Sequence, residues 1–192
     1  MSEPVPSQSL RERKKVHTRL AIRREAFRLF EKHGYSNTTI EQIAHAADVS
    51  PRTFYRYFGV KEALLLSDDQ ISPIVEAFVA APSEMTIVEA YAFAVGKVFG
   101  GLTLEQREDA IAGQRMLYDT PEACGMLYTA YVRMIDLITE ALTERTDAPA
   151  EEAERRVIAS AIVGVLIGAS HNTPLPEAAL QSALKILGRR LS

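Results

Sequence analysis

The sequence predicts an all-α protein, and three observations support this. Apolar residues recur at three- and four-residue spacings along most of the chain. Helix start and stop signals separate these stretches: capping residues, prolines at first positions and glycines just past the ends. No long run alternates between apolar and polar residues as a strand does. We expect about nine helices, arranged as an N-terminal three-helix head and a C-terminal helical bundle.

The composition is that of an ordinary globular protein: 192 residues, 47% hydrophobic, 24% charged, net charge −3. No apolar run reaches the roughly 20 residues of a membrane span, and the polar N-terminus does not resemble a signal peptide. The single cysteine, Cys124, cannot form an internal disulfide, which is typical of a reducing compartment. We therefore expect a cytoplasmic chain with no membrane partner.

The charge is unevenly distributed along the chain. Residues 1–66 hold twelve Lys and Arg against seven Asp and Glu, a net +5, and the remainder holds ten against eighteen, a net −8. A basic front predicts a polyanionic partner for that part of the chain. Charge alone does not separate this partner from a merely soluble basic surface.

The head begins with a long helix. Residues 1–9, with two prolines and three serines, predict a flexible arm. A helix from about Leu10 to His33 follows, and Gly34 stands where a left-handed C-terminal cap is expected.

Two shorter helices complete the head. Thr38 and Glu41 predict a capping box, with Thr38 as N-cap. A short turn then leads to Ser50 as the next N-cap and Pro51 at the first helical position. The two helices are therefore joined by a very short turn.

The third helix carries the chemistry. At 100° per residue, Phe54 and Phe58 share one face that must be buried. The opposite side presents a polar ridge with a phenol at either edge: Arg52, Thr53 and Arg56, flanked by Tyr55 and Tyr57. Arginines can bind guanine edges in the major groove while hydroxyls reach phosphates. The alternative is a solvated surface helix, but such faces usually carry Glu and Lys.

Three segments together are similar to the DNA-binding region of the TetR family of bacterial regulators: TTIEQIA at 38–44, VSPRTFYRYF at 49–58 and KEALL at 61–65. The similarity covers about residues 11–66 and implies a helix-turn-helix domain over residues 10–60. It implies phosphate contacts from Thr39, Tyr55, Tyr57 and Lys61, and base contacts from residues 51–53 and Arg56. The full predicted DNA-binding set is Thr38, Thr39, Ser50, Pro51, Arg52, Thr53, Tyr55, Arg56, Tyr57 and Lys61.

Two positions depart from the family pattern. Asp48 stands where the family often has glycine, but aspartate tolerates left-handed dihedral angles, so we expect the turn to persist. Val60 replaces the usual small polar cap of the next helix, and Gly59 is the alternative cap.

The resemblance implies that residues 61–192 form a ligand-binding and dimerisation domain. We expect a fourth helix from about Lys61, with a break or kink near residues 69–72 because Pro73 removes an amide donor. In the family this helix links the two domains, so the break bears on allosteric coupling or is a surface kink; both interpretations stay open.

The remaining helices are delimited by their end signals. We expect one from Ser83 to Gly100, one opened by a Thr103–Gln106 capping box, one from Thr120-Pro121 to about Arg145, one from about Pro149 to Ser170 and one from Pro176 to Arg190.

The helix before the last has a seam of small residues at Val157, Ala161, Gly164 and Gly168, which allows close helix packing. The resemblance implies that the last two helices pair with a second copy as a homodimer. Two heads on a twofold axis then imply a palindromic double-stranded DNA operator. The alternative is that this helix forms the centre of the monomer core; both can hold together.

The resemblance also implies a small-molecule effector, held in a mostly apolar cavity that favours a lipophilic or aromatic compound. The candidate ligand-binding residues are Tyr91, Phe99, Arg115, Met116, Tyr118, Tyr128, Tyr131 and His171. Each has a structural alternative, because aromatic residues at helical spacing are usually core. This region is also loosely similar to regulators of mycofactocin systems.

The sequence gives little support to the hypothesis that the protein is an enzyme. The four histidines show no metal-ligand spacing, and no phosphate-binding glycine loop or nucleophile motif is present. Cys124 lies on an apolar stripe and is expected to be core. We therefore expect no catalytic residue, metal or cofactor, and predict a ligand-responsive repressor. The alternatives are an activator of the same fold, or a helical small-molecule binder or enzyme with a non-specific basic head.

Overall fold

In a computed structural model of the chain, the described residues are 10–66, 70–170 and 177–191. They contain nine α-helices, no strand and two short 3₁₀ turns, at Glu62–Leu64 and Leu142–Glu144, which confirms the predicted all-α class. The helices are α1 Leu10–His33, α2 Ile40–Ala46, α3 Pro51–Phe58, α4 Ile71–Val79, α5 Ile87–Gly100, α6 Leu104–Tyr118, α7 Pro121–Ala141, α8 Glu152–Ser170 and α9 Glu177–Leu191.

The described residues form two compact units, divided between Leu64 and Leu65. In the first unit, α2 packs against both α1 and α3. Its core is made of aliphatic and aromatic side chains from all three helices: Ile22, Ala26, Phe27, Leu29, Phe30, Ile43, Ala44, Phe54 and Phe58. The three-helix head expected from the sequence is thus present.

The turns of the head follow the predicted chemistry. Gly34 has φ +83° and donates its amide to the Phe30 carbonyl oxygen at 2.8 Å, which ends α1. Asp48 adopts φ +53° between α2 and α3, so aspartate does support the turn here. Gly59, at φ +72°, caps the end of α3 rather than the start of a fourth helix.

The N-cap of α2 is Thr39, and the prediction of Thr38 was wrong. Thr39 Oγ1 accepts from the Gln42 amide at 3.2 Å, and Gln42 Oε1 accepts from the Thr39 amide at 2.8 Å. Thr38 is only 1% exposed, and its hydroxyl donates to the Gly34 carbonyl oxygen at 2.9 Å. The capping box is therefore shifted by one residue, because Thr38 is needed inside the head.

In the second unit, α5 packs against α4 and α9, and α8 packs against α7 and α9. The core joins side chains of these five helices, including Phe78, Tyr91, Val95, Ile138, Ile162, Leu180 and Leu184. Helix α6 packs on α7.

A buried arginine fixes the connection between α4 and α5. The Arg145 side chain is 3% exposed and donates to a carboxylate oxygen of Asp147 at 2.9 Å. Its other nitrogens donate to the carbonyl oxygens of Phe78, at 3.5 Å, and Met85, at 2.8 Å. The guanidinium thus joins the end of α7 to the last turn of α4 and the loop before α5.

The fourth helix differs from the prediction. It runs over Ile71–Val79, and the residues before the gap form a 3₁₀ turn instead of a helix from Lys61. Pro73 is the third residue of α4, where an amide has no helical acceptor, so the proline opens the helix rather than breaking it. Position 69 of the predicted break lies outside the described residues.

The other helix ends agree with the sequence in most cases. Thr103 and Gln106 form the predicted capping box of α6, and Pro121 begins α7. The N-cap of α5 is Thr86 with Glu89, not Ser83, and α8 begins at Glu152, three residues later than expected.

None of the helices described is by itself long and apolar enough to cross a membrane. The α5–α6 pair passes such a test of length and composition together, although the two helices bend by 110° at their junction.

Candidate nucleic-acid interface

Helix α3 has one buried face and one exposed face, as its sequence predicts. Phe54 is 0% and Phe58 8% exposed, and their ring centroids lie 5.5 Å apart. Arg52 and Arg56 are exposed on the opposite side, and Tyr55 is 50% exposed at its edge. The two arginines are thus presented outward on a helix whose orientation is fixed by its aromatic face.

The beginning of α3 is closed by two hydroxyl side chains. Ser50 Oγ accepts from the Thr53 amide at 3.1 Å and lies 3.0 Å from Thr53 Oγ1. Pro51, exposed, takes the first helical position, where its missing amide costs nothing. Ser50 therefore both caps the helix and orients the Thr53 hydroxyl.

Helix α1 supports the C-terminal end of α3 through an arginine. Arg19 Nη1 donates to the Tyr57 carbonyl oxygen at 3.2 Å, and its Cζ lies 4.6 Å from the Phe58 ring centroid. One turn later Arg23 is 1% exposed, with its Cζ 5.1 Å from the Phe27 ring centroid. Sequence analysis missed both residues; two arginines four apart beside the apolar face of α1 were the available signal.

Tyr57 lies at the margin of the exposed face of α3, next to Arg56. Tyr57 is half-buried, and the Arg56 guanidinium carbon lies 5.5 Å from the Tyr57 ring centroid. This cation–π contact holds the Arg56 side chain beside the Tyr57 ring, at the margin of the exposed ridge.

Lys61 holds the loop between α1 and α2. Its Nζ donates to the carbonyl oxygens of Tyr35, at 2.9 Å, and Thr38, at 3.0 Å, and lies 4.1 Å from the Tyr35 ring centroid. Two of its three hydrogens are thus directed to this loop. The phosphate contact implied for Lys61 stays a prediction, whereas the buried Thr38 side chain has no surface to offer DNA.

A polar cluster in the second unit joins three helices, α6, α7 and α8, and includes two of the candidate ligand-binding residues, Tyr118 and Tyr131. Tyr118 and Gln114, one turn apart on α6, donate to the Ser170 carbonyl oxygen at 3.1 and 3.4 Å. The Tyr131 hydroxyl shares hydrogen bonds with Ser170 and Tyr118, and burial raises the pKa of this phenol. The cluster thus joins α6 and α7 to the last residue of α8.

The other candidate ligand residues are dispersed. Tyr91 is 2% exposed and its hydroxyl faces Met134 Sδ at 3.9 Å; burial raises the pKa of this phenol, which is a core residue. Tyr128 is 75% exposed and Arg115 is exposed, so neither lines an interior site within one chain. Phe99 and Met116 are half-buried, and His171 lies outside the described residues.

Cys124 is exposed on α7, so the prediction that it is a core residue was wrong. Its Sγ lies 3.5 Å from the Leu117 carbonyl oxygen. Among the residues that the structure describes, no three His, Cys, Asp or Glu side chains are grouped as metal ligands would be.

Comparison with known families accounts for both units. Residues 22–67 match the family described as bacterial regulatory proteins, tetR family. Residues 85–191, more than half of the chain, match the family described as MftR C-terminal domain.

Individual relatives agree with these families. The HTH-type transcriptional regulator TcmR of Streptomyces glaucescens is 35% identical over 153 residues, which cover 79% of this chain and 63% of TcmR. The putative mycofactocin biosynthesis transcriptional regulator MftR of Mycobacterium tuberculosis is 22% identical and covers 97% of this chain and 98% of MftR. The chain thus spans less than two thirds of TcmR and nearly all of MftR.

Solved structures show the same fold. The TetR family repressor AlkX from Dietzia sp. strain DQ12-45-1b superposes with a TM-score of 0.57 at 20% identity, covering 89% of this chain and 96% of AlkX. The chain is a member of the TetR family of bacterial transcriptional regulators, with a helix-turn-helix DNA-binding domain and a C-terminal domain of the MftR type.

Proposed function

We propose that this protein is a homodimeric repressor that binds a palindromic operator and releases it when a lipophilic or aromatic small molecule binds the C-terminal domain. The observation that carries the proposal is α3: two exposed arginines stand opposite two buried phenylalanines, on a helix capped by Ser50 and supported by Arg19. Such a rigid, basic, exposed helix suits the major groove.

The side chains of the head divide into two roles. Arg52 and Arg56 reach base edges and supply sequence discrimination, since a guanidinium binds guanine O6 and N7 together. Thr39, Tyr55 and Tyr57 bind phosphates at the two walls of the groove and set the register.

A surface on α8 and α9 supports the homodimer. Val157, Ile167 and Ile186 are 69%, 40% and 53% exposed, a large apolar exposure for adjacent helices. On the same helix as the first two, Gly164 and Gly168 have nothing within 4 Å of the position a Cβ would take, so a second backbone can approach closely. A twofold copy on this surface brings two α3 helices to the half-sites of a palindrome.

The proposed effector site includes the polar cluster of Gln114, Tyr118 and Tyr131. A few hydrogen-bonding groups among apolar helices are typical of small-molecule sites. Effector binding would favour a conformation whose two recognition helices no longer match the half-site spacing. AlkX, which shares this fold, is described as a repressor.

Selection from random duplex DNA by the purified protein, at near-physiological salt, tests the DNA-binding part. We expect an enriched palindrome. Arg56→Ala should lose discrimination among sequences, while Tyr55→Phe should weaken all sequences alike. Two variants that both keep wild-type affinity and selectivity would refute the assignment of α3.

The alternatives give different results in the same experiments. An activator binds the same palindrome but raises transcription from a promoter that carries it. A small-molecule binder with a non-specific basic head shows salt-sensitive binding without any enriched sequence.

A further inference from the structure

The first half of α1 carries positive charge that the recognition helix does not account for. Residues 10–19 hold five Lys and Arg and one acidic residue, a net +4. Residues 20–66 hold seven basic and five acidic residues, a net +2, although they include all of α2 and α3. Most of the basic excess of the head therefore precedes its core.

The N-terminal part of this basic segment, which comprises residues 10–19, is exposed. Arg11, Arg13, Lys14 and Lys15 are all exposed, Leu10 is 69% exposed, and among the described residues of α1 burial begins only at Ile22. A helical stretch with so little apolar burial gains little stability from packing.

The sign of the charge is also unfavourable for the position. Unpaired amides give the N-terminal end of a helix a partial positive charge, which four nearby cations oppose. A segment that departs from both packing and dipole rules is expected where function requires it. A bound polyanion would offset both unfavourable features.

The basic segment adjoins the C-terminal end of the proposed recognition helix. Arg19, its last residue, donates to the carbonyl oxygen of Tyr57 near the end of α3. At a helical rise of 1.5 Å per residue, Lys14 and Arg11 lie about 7 and 12 Å farther along the axis of α1. The polyanion that comes closest to this segment is thus the DNA on which α3 would lie.

We propose that residues 10–19 form a second DNA-binding surface, which binds phosphates of the duplex flanking the half-site bound by α3. The inference rests on the proposed DNA-binding function. The cations attract the phosphates of the DNA backbone as point charges. This surface therefore adds affinity and salt dependence without adding sequence discrimination.

The test compares two triple variants of the full chain that remove equal charge from the same helix. Arg13→Gln/Lys14→Gln/Lys15→Gln neutralises the basic segment, and Arg24→Gln/Arg28→Gln/Lys32→Gln neutralises three exposed cations farther along α1. The affinity of each variant is measured on two forms of the duplex recovered by selection. The trimmed duplex ends at the half-sites, and the extended duplex continues by about one helical turn, roughly ten base pairs, on each side. If selection enriches nothing, both duplexes are taken from random sequence.

On the extended duplex, the first variant should bind at least about tenfold more weakly and reduce the slope of log K against log salt by about 2.7, or 0.9 for each lost phosphate contact. The second variant should change neither quantity. On the trimmed duplex, wild type and the first variant should bind alike. Arg11→Lys/Arg13→Lys, which keeps the charges, should bind as wild type, and circular dichroism checks that α1 remains helical.

Equal losses in the two triple variants would overturn the inference, as would a loss that persists on the trimmed duplex. Failure of wild-type protein to bind any duplex would overturn the proposed function as well. Wild-type binding with an unchanged salt slope in the first variant would overturn the second surface alone.

Discussion

Arg145 Nη2 donates a hydrogen bond to the carbonyl oxygen of Met85 at 2.8 Å, across sixty residues of chain. The same guanidinium also reaches Phe78 and Asp147, so one buried cation satisfies groups from the end of α4, the following loop and its own turn. Buried charges are tolerated where such partners surround them. Arg145 is therefore a central structural residue of the second unit.

Arg145→Met should lower the free energy of unfolding of the second unit by about 3 kcal/mol, because two carbonyl oxygens and a carboxylate lose a charged donor. Urea unfolding measured by circular dichroism gives the value. Arg156→Met is the control: its ion pair with Asp136, at 2.8 Å, has both side chains about half exposed and should contribute at most about 1 kcal/mol. Equal effects of the two substitutions would contradict the role given to Arg145.

The shifted capping box of α2 predicts that substitutions at Thr39 and Glu41 differ in their effect on stability. Thr39→Ala should destabilise the head by about 1 kcal/mol, since the Gln42 amide loses its acceptor. Glu41→Ala should cost only a few tenths of a kcal/mol, because Glu41 contributes through the helix dipole and not through the box. Thermal unfolding distinguishes the two, and the opposite ranking would restore Thr38 and Glu41 as the box.

Lys61→Met should destabilise the head by about 2 kcal/mol, because two charge-assisted hydrogen bonds to the α1–α2 loop are lost. Lys32→Met removes an exposed lysine and should have little effect. The salt dependence of DNA binding by the Lys61 variant provides a second result: a slope reduced by about 0.9 would add the implied phosphate contact. A stable Lys61 variant would show that these hydrogen bonds contribute little.

The buried phenol of Tyr91 predicts a sensitivity to alkaline pH. Burial raises the pKa of Tyr91 in the folded state above its ordinary value of 10.0, so the unfolded state releases this proton first. The stability contribution is complete below pH 10 and is lost as the pH rises above it, by about 1.4 kcal/mol per pH unit. Between pH 10 and 11, the free energy of unfolding of Tyr91→Phe should fall less steeply with pH than that of wild type. Parallel curves for the two proteins would contradict this.

Helix ends are predicted best from the sequence where only one residue type suits the backbone conformation required. Gly34 at the end of α1 and Pro51 at the start of α3 could be placed because no other neighbour offers the same backbone freedom or restriction. Thr38 and Thr39 could not be told apart, since each precedes a polar side chain by three positions. Burial of Thr38 against Gly34 decides between them, and this contact depends on the folded loop.

Long-range partners lay beyond the sequence. Arg19 contacts the α3 backbone 38 residues away, and Lys61 contacts carbonyl groups 23 and 26 residues away. Periodicity identified the apolar stripe of α7 but could not show which of its residues the neighbouring helices cover. Cys124 and Tyr128, both on that stripe, are exposed while Ile138 is buried.

The exposed position of Cys124 has a practical consequence. The chain holds a single cysteine, so a thiol-directed spin label or fluorophore attaches at one position without any substitution. In a twofold assembly the two labels report one intermolecular distance, and in a monomer they report none. The distance between labels on the native thiols thus measures the arrangement of two copies in solution. The same distance shows whether that arrangement changes when DNA or a small molecule binds.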